Sequence, residues 1–159
     1  MVLTLMVIIK YIMEKYFKEL YLKDDPISGE SDYYIDKNLT IPYNGTVIDK
    51  DGDIIIWKFE VRNGKRTGLK YIYYSNGKIE QIDECRGNVT FGVSKEFDKN
   101  GNLRSVSIVW NNDYLKIIHI NNNKIEKIDN HKPIINRLSE KISYLFTLSN
   151  EELINYKFE

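Results

Sequence analysis

Few groups in this chain are of a type and spacing that could do chemistry. Cys85 is its one cysteine. A thiol nucleophile needs a base and an orienting partner, and neither stands at a recognisable spacing, so Cys85 reads as a strand residue. A single thiol cannot form an internal disulfide, which suits a reducing, cytoplasmic setting. The two histidines, His119 and His131, are 12 residues apart, a spacing that matches neither a metal site nor a catalytic triad. Asp49-Lys50-Asp51-Gly52-Asp53 has the acidic alternation of a calcium loop. Counted from Asp49, Glu60 stands at position twelve, but the required glycine falls at four and Ile54 takes position six. It reads as a hairpin turn, and Asp98-Lys99-Asn100-Gly101-Asn102 as the same turn one unit later. No glycine-rich phosphate loop precedes a helix. Acidic side chains are plentiful, so a hydrolase using carboxylates from adjacent hairpins stands as a second alternative. No catalytic residue, metal or cofactor is expected, and the chain is read as a protein that is not an enzyme.

Aromatic residues are the more informative set. Trp57, Tyr71, Tyr73, Tyr74, Phe97 and Trp110 fall in strand-forming runs, with Phe59 and Tyr114 beside them. Successive strand residues point to opposite faces, so Tyr73-Tyr74 must expose one ring if it buries the other. Tyr and Trp dominate interface hot spots. These six residues are therefore the candidate surface for a protein partner. Basic and acidic side chains number 23 each, for zero net charge. This disfavours a nucleic-acid partner, which phosphate contacts would require to be basic.

The elements that must position these residues repeat. Asp51-Gly52, Asn76-Gly77 and Asn100-Gly101 are 25 and then 24 residues apart, and Gly45, Gly68 and Gly92 keep step at 23 and 24. Periods of this length mark repeat architecture. Asx-Gly tolerates the positive φ of a two-residue type I′ hairpin, and β-branched or aromatic runs flank each corner. Asn63-Gly64 and Arg86-Gly87 join one hairpin to the next. Counted from each turn glycine, Trp57, Ile82 and Val106 stand at +5, Phe59, Glu84 and Ile108 at +7, and Val61, Arg86 and Trp110 at +9. Units one and three present an apolar stripe. The middle unit breaks it, so its exposed face either swaps sides or lies near an edge. A degraded fourth unit runs through Tyr114, Ile117, Ile118, His119 and Ile120 to a turn at Asn121-Asn122-Asn123.

The expected fold is α+β and mainly β: an antiparallel meander of stacked hairpins with a helix at each end. Residues 1–32 are read as an N-terminal helix and acidic linker, 33–129 as the hairpin array, and 130–159 as a C-terminal helical cap, all in one structural domain. The apolar opening Met1-Val2-Leu3-Thr4-Leu5-Met6-Val7-Ile8-Ile9 lacks a basic flank and a cleavage site, and it is shorter than a spanning helix. It reads as the start of a packed helix continuing through Tyr11, Ile12, Tyr16, Phe17, Leu20 and Tyr21. Membrane association through it is the alternative, and Met13 is a second possible start. Pro133 suits a first helical turn, with Ile134, Ile135, Leu138, Ile142 and Leu145 on one face. Ser149 and Glu152 form a capping box. The terminal helices are expected to cover the open sheet edges.

Pro42-Tyr43-Asn44-Gly45-Thr46-Val47, the run from Asn63-Gly64 through Tyr71-Ile72-Tyr73-Tyr74-Ser75-Asn76-Gly77-Lys78-Ile79, and Phe91-Gly92 through Asn100-Gly101-Asn102-Leu103 resemble the MORN-repeat variant of bacterial proteins. The resemblance covers a little under half of the chain and leaves its ends out. It implies a non-enzymatic protein-binding module of the antitoxin or immunity kind, one that occludes a toxin encoded by a neighbouring gene. Other MORN proteins are membrane-associated scaffolds, which supplies the alternative function.

Overall fold

Residues 13–132 and 138–158 are described by a computed structural model. They form one long meander. Its strands are β4 (Gly45–Asp51), β5 (Ile54–Arg62), β6 (Lys65–Tyr73), β7 (Ile79–Arg86), β8 (Val89–Phe97), β9 (Leu103–Trp110), β10 (Asp113–Asn121) and β11 (Lys124–Asn130). Each pairs antiparallel with the next. Ahead of them, β1 (Glu14–Tyr16) adds to β4 in parallel, and β2 (Tyr21–Asp24) and β3 (Ser31–Tyr34) make a separate hairpin. Two short helices close the chain, α1 (Glu140–Thr147) and α2 (Asn150–Ile154).

The corners divide into three kinds, which revises the turn assignment; at β4–β5 the two-residue loop is Gly52-Asp53 and not Asp51-Gly52, with positive φ at Gly52 alone. Positive φ at both central residues, the mark of a type I′ turn, occurs at Asn63-Gly64, Gly87-Asn88, Asn111-Asn112 and Asn122-Asn123. The more regular Asn76-Gly77 and Asn100-Gly101 belong to three-residue loops. Gly77 N–H donates to the Tyr74 carbonyl while Tyr74 N–H donates to that of Lys78, and Asp98, Gly101 and Asn102 repeat the pattern. Only the glycine of each takes positive φ. A side chain fixes the asparagine in a right-handed turn: Asp98 Oδ1 accepts from the N–H of Asn100 at 2.8 Å and of Asn102 at 2.9 Å.

Residues opposite one another on paired strands share a face, so the register can be followed across the sheet. One row runs Val47, Phe59, Lys70, Asp83, Ser94, Ser107, Ile117, Asp129. The neighbouring row, on the other face, runs Ile48, Lys58, Tyr71, Ile82, Lys95, Val106, Ile118, Ile128. The first starts apolar and turns polar; the second becomes apolar as the first loses it. Burial therefore changes sides in the middle of the sheet, which is why Glu84 and Arg86 break the stripe of the central unit. On one face Leu20, Tyr33, Tyr43, Val47, Phe59 and Val61 form a core beneath β2–β3. On the other, Val93, Val106, Ile108 and Ile118 form a second core with Ile142, Leu145 and Leu153 of the helices.

The N-terminal helix expected through Leu22 is replaced, over its described residues, by β1, a 3-10 turn at Phe17–Glu19 and β2. Spacings of three and four point to a helix, but one 3-10 turn suffices to bring Phe17 and Leu20 to the same core. The acidic stretch read as a linker is mostly the β2–β3 hairpin. Residues 1–12 and 133–137, which carry the apolar opening and Pro133, lie outside the described residues. At the C-terminus the described helix begins at Glu140, capped by Ser139, and the predicted capping box at Ser149 and Glu152 is present. The helices pack on the face of β8 and β9 and not along the last edge. At the other end, strand β1 lies against β4 where a helix was expected.

A charged clamp ties β2–β3 to the meander. Lys65 Nζ donates to Asp25 Oδ2 at 3.0 Å and Asp32 Oδ1 at 2.9 Å, and Asn88 Nδ2 donates to Asp32 at 2.6 Å. The Lys65 ammonium, the Ile27 N–H and the Ser28 hydroxyl hold the Asp25 carboxyl well below the ordinary carboxylate range. A depressed folded pKa stabilises the folded state above the unfolded value of 3.8 and stops doing so as pH falls through the folded one. Acid is thus expected to loosen this hairpin before the meander. The amides of Tyr33 and Asp25, bonded to Gly64 and Glu30, should lose hydrogen-exchange protection below about pH 4 while the amides of the β8–β9 ladder keep theirs. Unchanged protection factors for Tyr33 and Asp25 at low pH would contradict this.

Candidate functional site

The six aromatic candidates do not gather on one surface, because the burial switch divides them. Trp57 stacks on Phe59 at 5.0 Å between ring centroids and meets Phe17 edge-on at 5.1 Å, so it is a wall of the N-terminal core. Trp110 packs against the C-terminal core. Tyr74 turns its phenol to the Phe97 carbonyl at 2.8 Å, joining two loops one repeat apart. Phe97 ends β8 and lines a cleft with Tyr74, which leaves Tyr71 and Tyr73. Alternation in β6 sets both on one face, and their rings stack at 6.4 Å with 24° between planes. Lys58 and Ile82 flank Tyr71 in the same row, and all four side chains are half-buried. This patch lies opposite the face covered by β2–β3 and beside, not beneath, the C-terminal helices. No described strand or helix covers it.

Polar groups collect on the reverse face of the C-terminal half. Asp83, Ser94, Ser105 and Ser107 are buried there. Ser94 Oγ donates to Asp83 Oδ1 at 2.7 Å, and Gln81 Nε2 donates to the same oxygen at 2.8 Å. Beside them is a cleft of about 370 Å³ lined by Tyr74, Glu80, Glu96, Phe97, Arg104, Ser105 and His119, among others. Two of the predicted aromatics are therefore at its rim. Register places His119 directly opposite Ser105, and His119 Nε2 lies 2.9 Å from Asp129 Oδ2. A serine, a histidine and an aspartate thus share adjacent strands, although their sequence spacing gave no hint of it. Their bonds do not form a relay. Ser105 donates its proton to Glu96 Oε2 at 3.1 Å, away from the imidazole, and a triad needs the hydroxyl on the base. Lys127 and His119 together hold the Asp129 carboxyl below its usual range.

A third constellation centres on Glu84, buried under the helices. Its Oε2 accepts from Val93 N–H at 2.7 Å; its Oε1 accepts from Tyr156 at 3.1 Å and from Lys141 Nζ at 3.0 Å. Every near donor points at the carboxylate, so it is a tie between sheet and helices. Lys95 acts similarly: its Nζ donates to the carbonyls of Ile154 at 2.8 Å and Tyr156 at 2.7 Å, a cation at a helix C-terminus. Cys85 is buried, and desolvation pushes its thiol up to about 11, which leaves little thiolate at neutral pH. The acidic corner from Asp49 to Asp53 is the β4–β5 turn. No group of three metal-ligating side chains occurs among the described residues. No described helix is long and apolar enough to cross a membrane.

Compared with family models, curated proteins and solved structures, the chain gives no match.

Proposed function

We propose that this chain is a non-enzymatic, cytoplasmic protein-binding module whose partner sits on the uncovered patch around Tyr71 and Tyr73. The observation that carries this reading is the stacked tyrosine pair on a regular sheet face, flanked by Lys58 and Ile82, with no described element above it. Stacked tyrosines present large rigid area at low entropic cost and favour protein contacts. The resemblance of the hairpin units to the MORN-repeat variant supports the same class and points to the partner: a toxin encoded by a neighbouring gene, neutralised by occlusion. Trp57 and Trp110, committed to the two cores, are not part of the contact surface in this proposal.

The test is co-expression with the neighbouring gene product, followed by co-purification and a growth assay. Association and rescue of growth are expected, with the double substitution Y71S/Y73S weakening binding by about a hundredfold while leaving the fold intact. The reading fails if the neighbour neither binds nor harms growth, or if Y71S/Y73S binds as the parent does.

A further inference from the structure

The last strand ends the sheet in a form that fits its own copy. All but one residue of β11 are exposed, and no described element pairs with its outer side. An edge strand presents unpaired backbone donors and acceptors, which make it a template for another strand. The two faces of β11 are also chemically unlike. Lys127 and Asp129 lie on the polar face, opposite His119 and Ile117. Ile128 lies on the other, opposite Ile118, where it ends the apolar row Val106, Ile118, Ile128 with 36% exposure.

We propose that two copies of this chain associate through β11, antiparallel, about a twofold axis through Ile128. An axis perpendicular to the sheet keeps each face on its own side, so it must pass through a residue and pair positions symmetrically around it. Centred on Ile128, this pairing places Ile128 against Ile128 of the second copy and Lys127 against Asp129 of the second copy, twice. Glu126 then faces Asn130. Both Lys–Asp pairs fall on the polar face, and the isoleucine pair joins the apolar rows of the two C-terminal cores. Within one copy Lys127 Nζ already reaches Asp129 at 2.7 Å, so the charges are in position and exchange partners across the axis. The bulge beside Ile120 breaks regular pairing on the Lys124 side, which limits the contact to a few residues. The interface is small, so association is weak and dependent on concentration.

Sedimentation equilibrium on the full chain, from micromolar to millimolar concentration, tests the proposal. A monomer–dimer equilibrium is expected. K127D sets two acidic groups against each other on both sides of the axis and should weaken it about tenfold or more, whereas the swap K127D/D129K should restore it. Circular dichroism checks that each variant keeps its strands. A chain that stays monomeric throughout overturns the proposal. So does a dimer indifferent to K127D, or one that the charge swap fails to restore.

Discussion

Gly92→Ala is expected to destabilise the chain by about 3 kcal/mol or more, at the upper end of single substitutions. Gly92 sits at φ +130°, a conformation L side chains rarely adopt, and a Cβ built there runs into Glu84 Oε2, with Glu84 Cδ at 3.0 Å. The carboxylate cannot retreat: Val93 N–H, Tyr156 and Lys141 hold it, and the residue is 7% exposed. Gly68 occupies the equivalent place one repeat earlier, with Glu60 Oε2 at 3.0 Å from its Cβ site. Glu60, however, has a side chain 49% exposed and can swing into water. Gly68→Ala should therefore cost about 1–2 kcal/mol, the backbone penalty alone. Denaturant unfolding of the two variants measures the difference. Equal losses would mean that the Glu84 contact does not set the cost.

These pairs explain two of the three members of the second glycine series, Gly68 and Gly92; at Gly45 the added Cβ would instead meet the Tyr43 ring and the Met13 carbonyl. The glycine is the place where the carboxylate of the preceding strand, eight residues earlier, lies across the backbone: Glu60 over Gly68, Glu84 over Gly92. The spacing was legible in the sequence, as was the antiparallel meander it implies, since local turn chemistry fixes both. The reason for the glycine was not, because it depends on which face each glutamate takes after the register shifts of β5 and β7. The face switch was half legible. Glu84 and Arg86 mark where the stripe breaks, but only the rows across the sheet show that the apolar side crosses over.

The candidate surface was read less well, for a related reason. Strand aromatics look equivalent in a list of residues. Trp57 and Trp110 are drawn into cores by what lies over them: Phe17 and the β2–β3 hairpin in one case, the C-terminal helices in the other. That covering comes from segments far away in sequence. The N-terminal segment misled for a local reason, since a single 3-10 turn between two short strands imitates the three-residue spacing of a helix. Ser105, His119 and Asp129 could be brought together only by counting register across three strands.

The second large effect is expected at Asn88. Its φ is +77°, it is 1% exposed, and all its polar groups are engaged. Oδ1 accepts from Arg66 N–H at 2.7 Å, Nδ2 donates to Asp32 at 2.6 Å, its own N–H donates to the Arg66 carbonyl at 3.0 Å, and its carbonyl accepts from the Arg66 guanidinium. One corner residue thus fastens the neighbouring hairpin and the charged clamp at Lys65. Asn88→Ala strands the half-buried Arg66 N–H and leaves Asp32 short of a donor, and it places a Cβ-bearing residue without a local hydrogen bond in the left-handed region. The expected loss is about 3 kcal/mol. Asn112 makes the same clamp one repeat later, with Oδ1 accepting from Thr90 N–H at 2.8 Å. It is exposed, so water can replace its side chain, and Asn112→Ala should cost about 1 kcal/mol. Asn88→Gly separates the contributions, since it relieves the φ penalty of about 1 kcal/mol and keeps the lost bonds. If Asn88→Ala unfolds at the same denaturant midpoint as Asn112→Ala, burial does not make this corner special, and the tie between the N-terminal hairpin and the meander rests on the other contacts: Lys65 with Asp25 and Asp32, Arg66 with Glu30, and Tyr33 N–H on the Gly64 carbonyl.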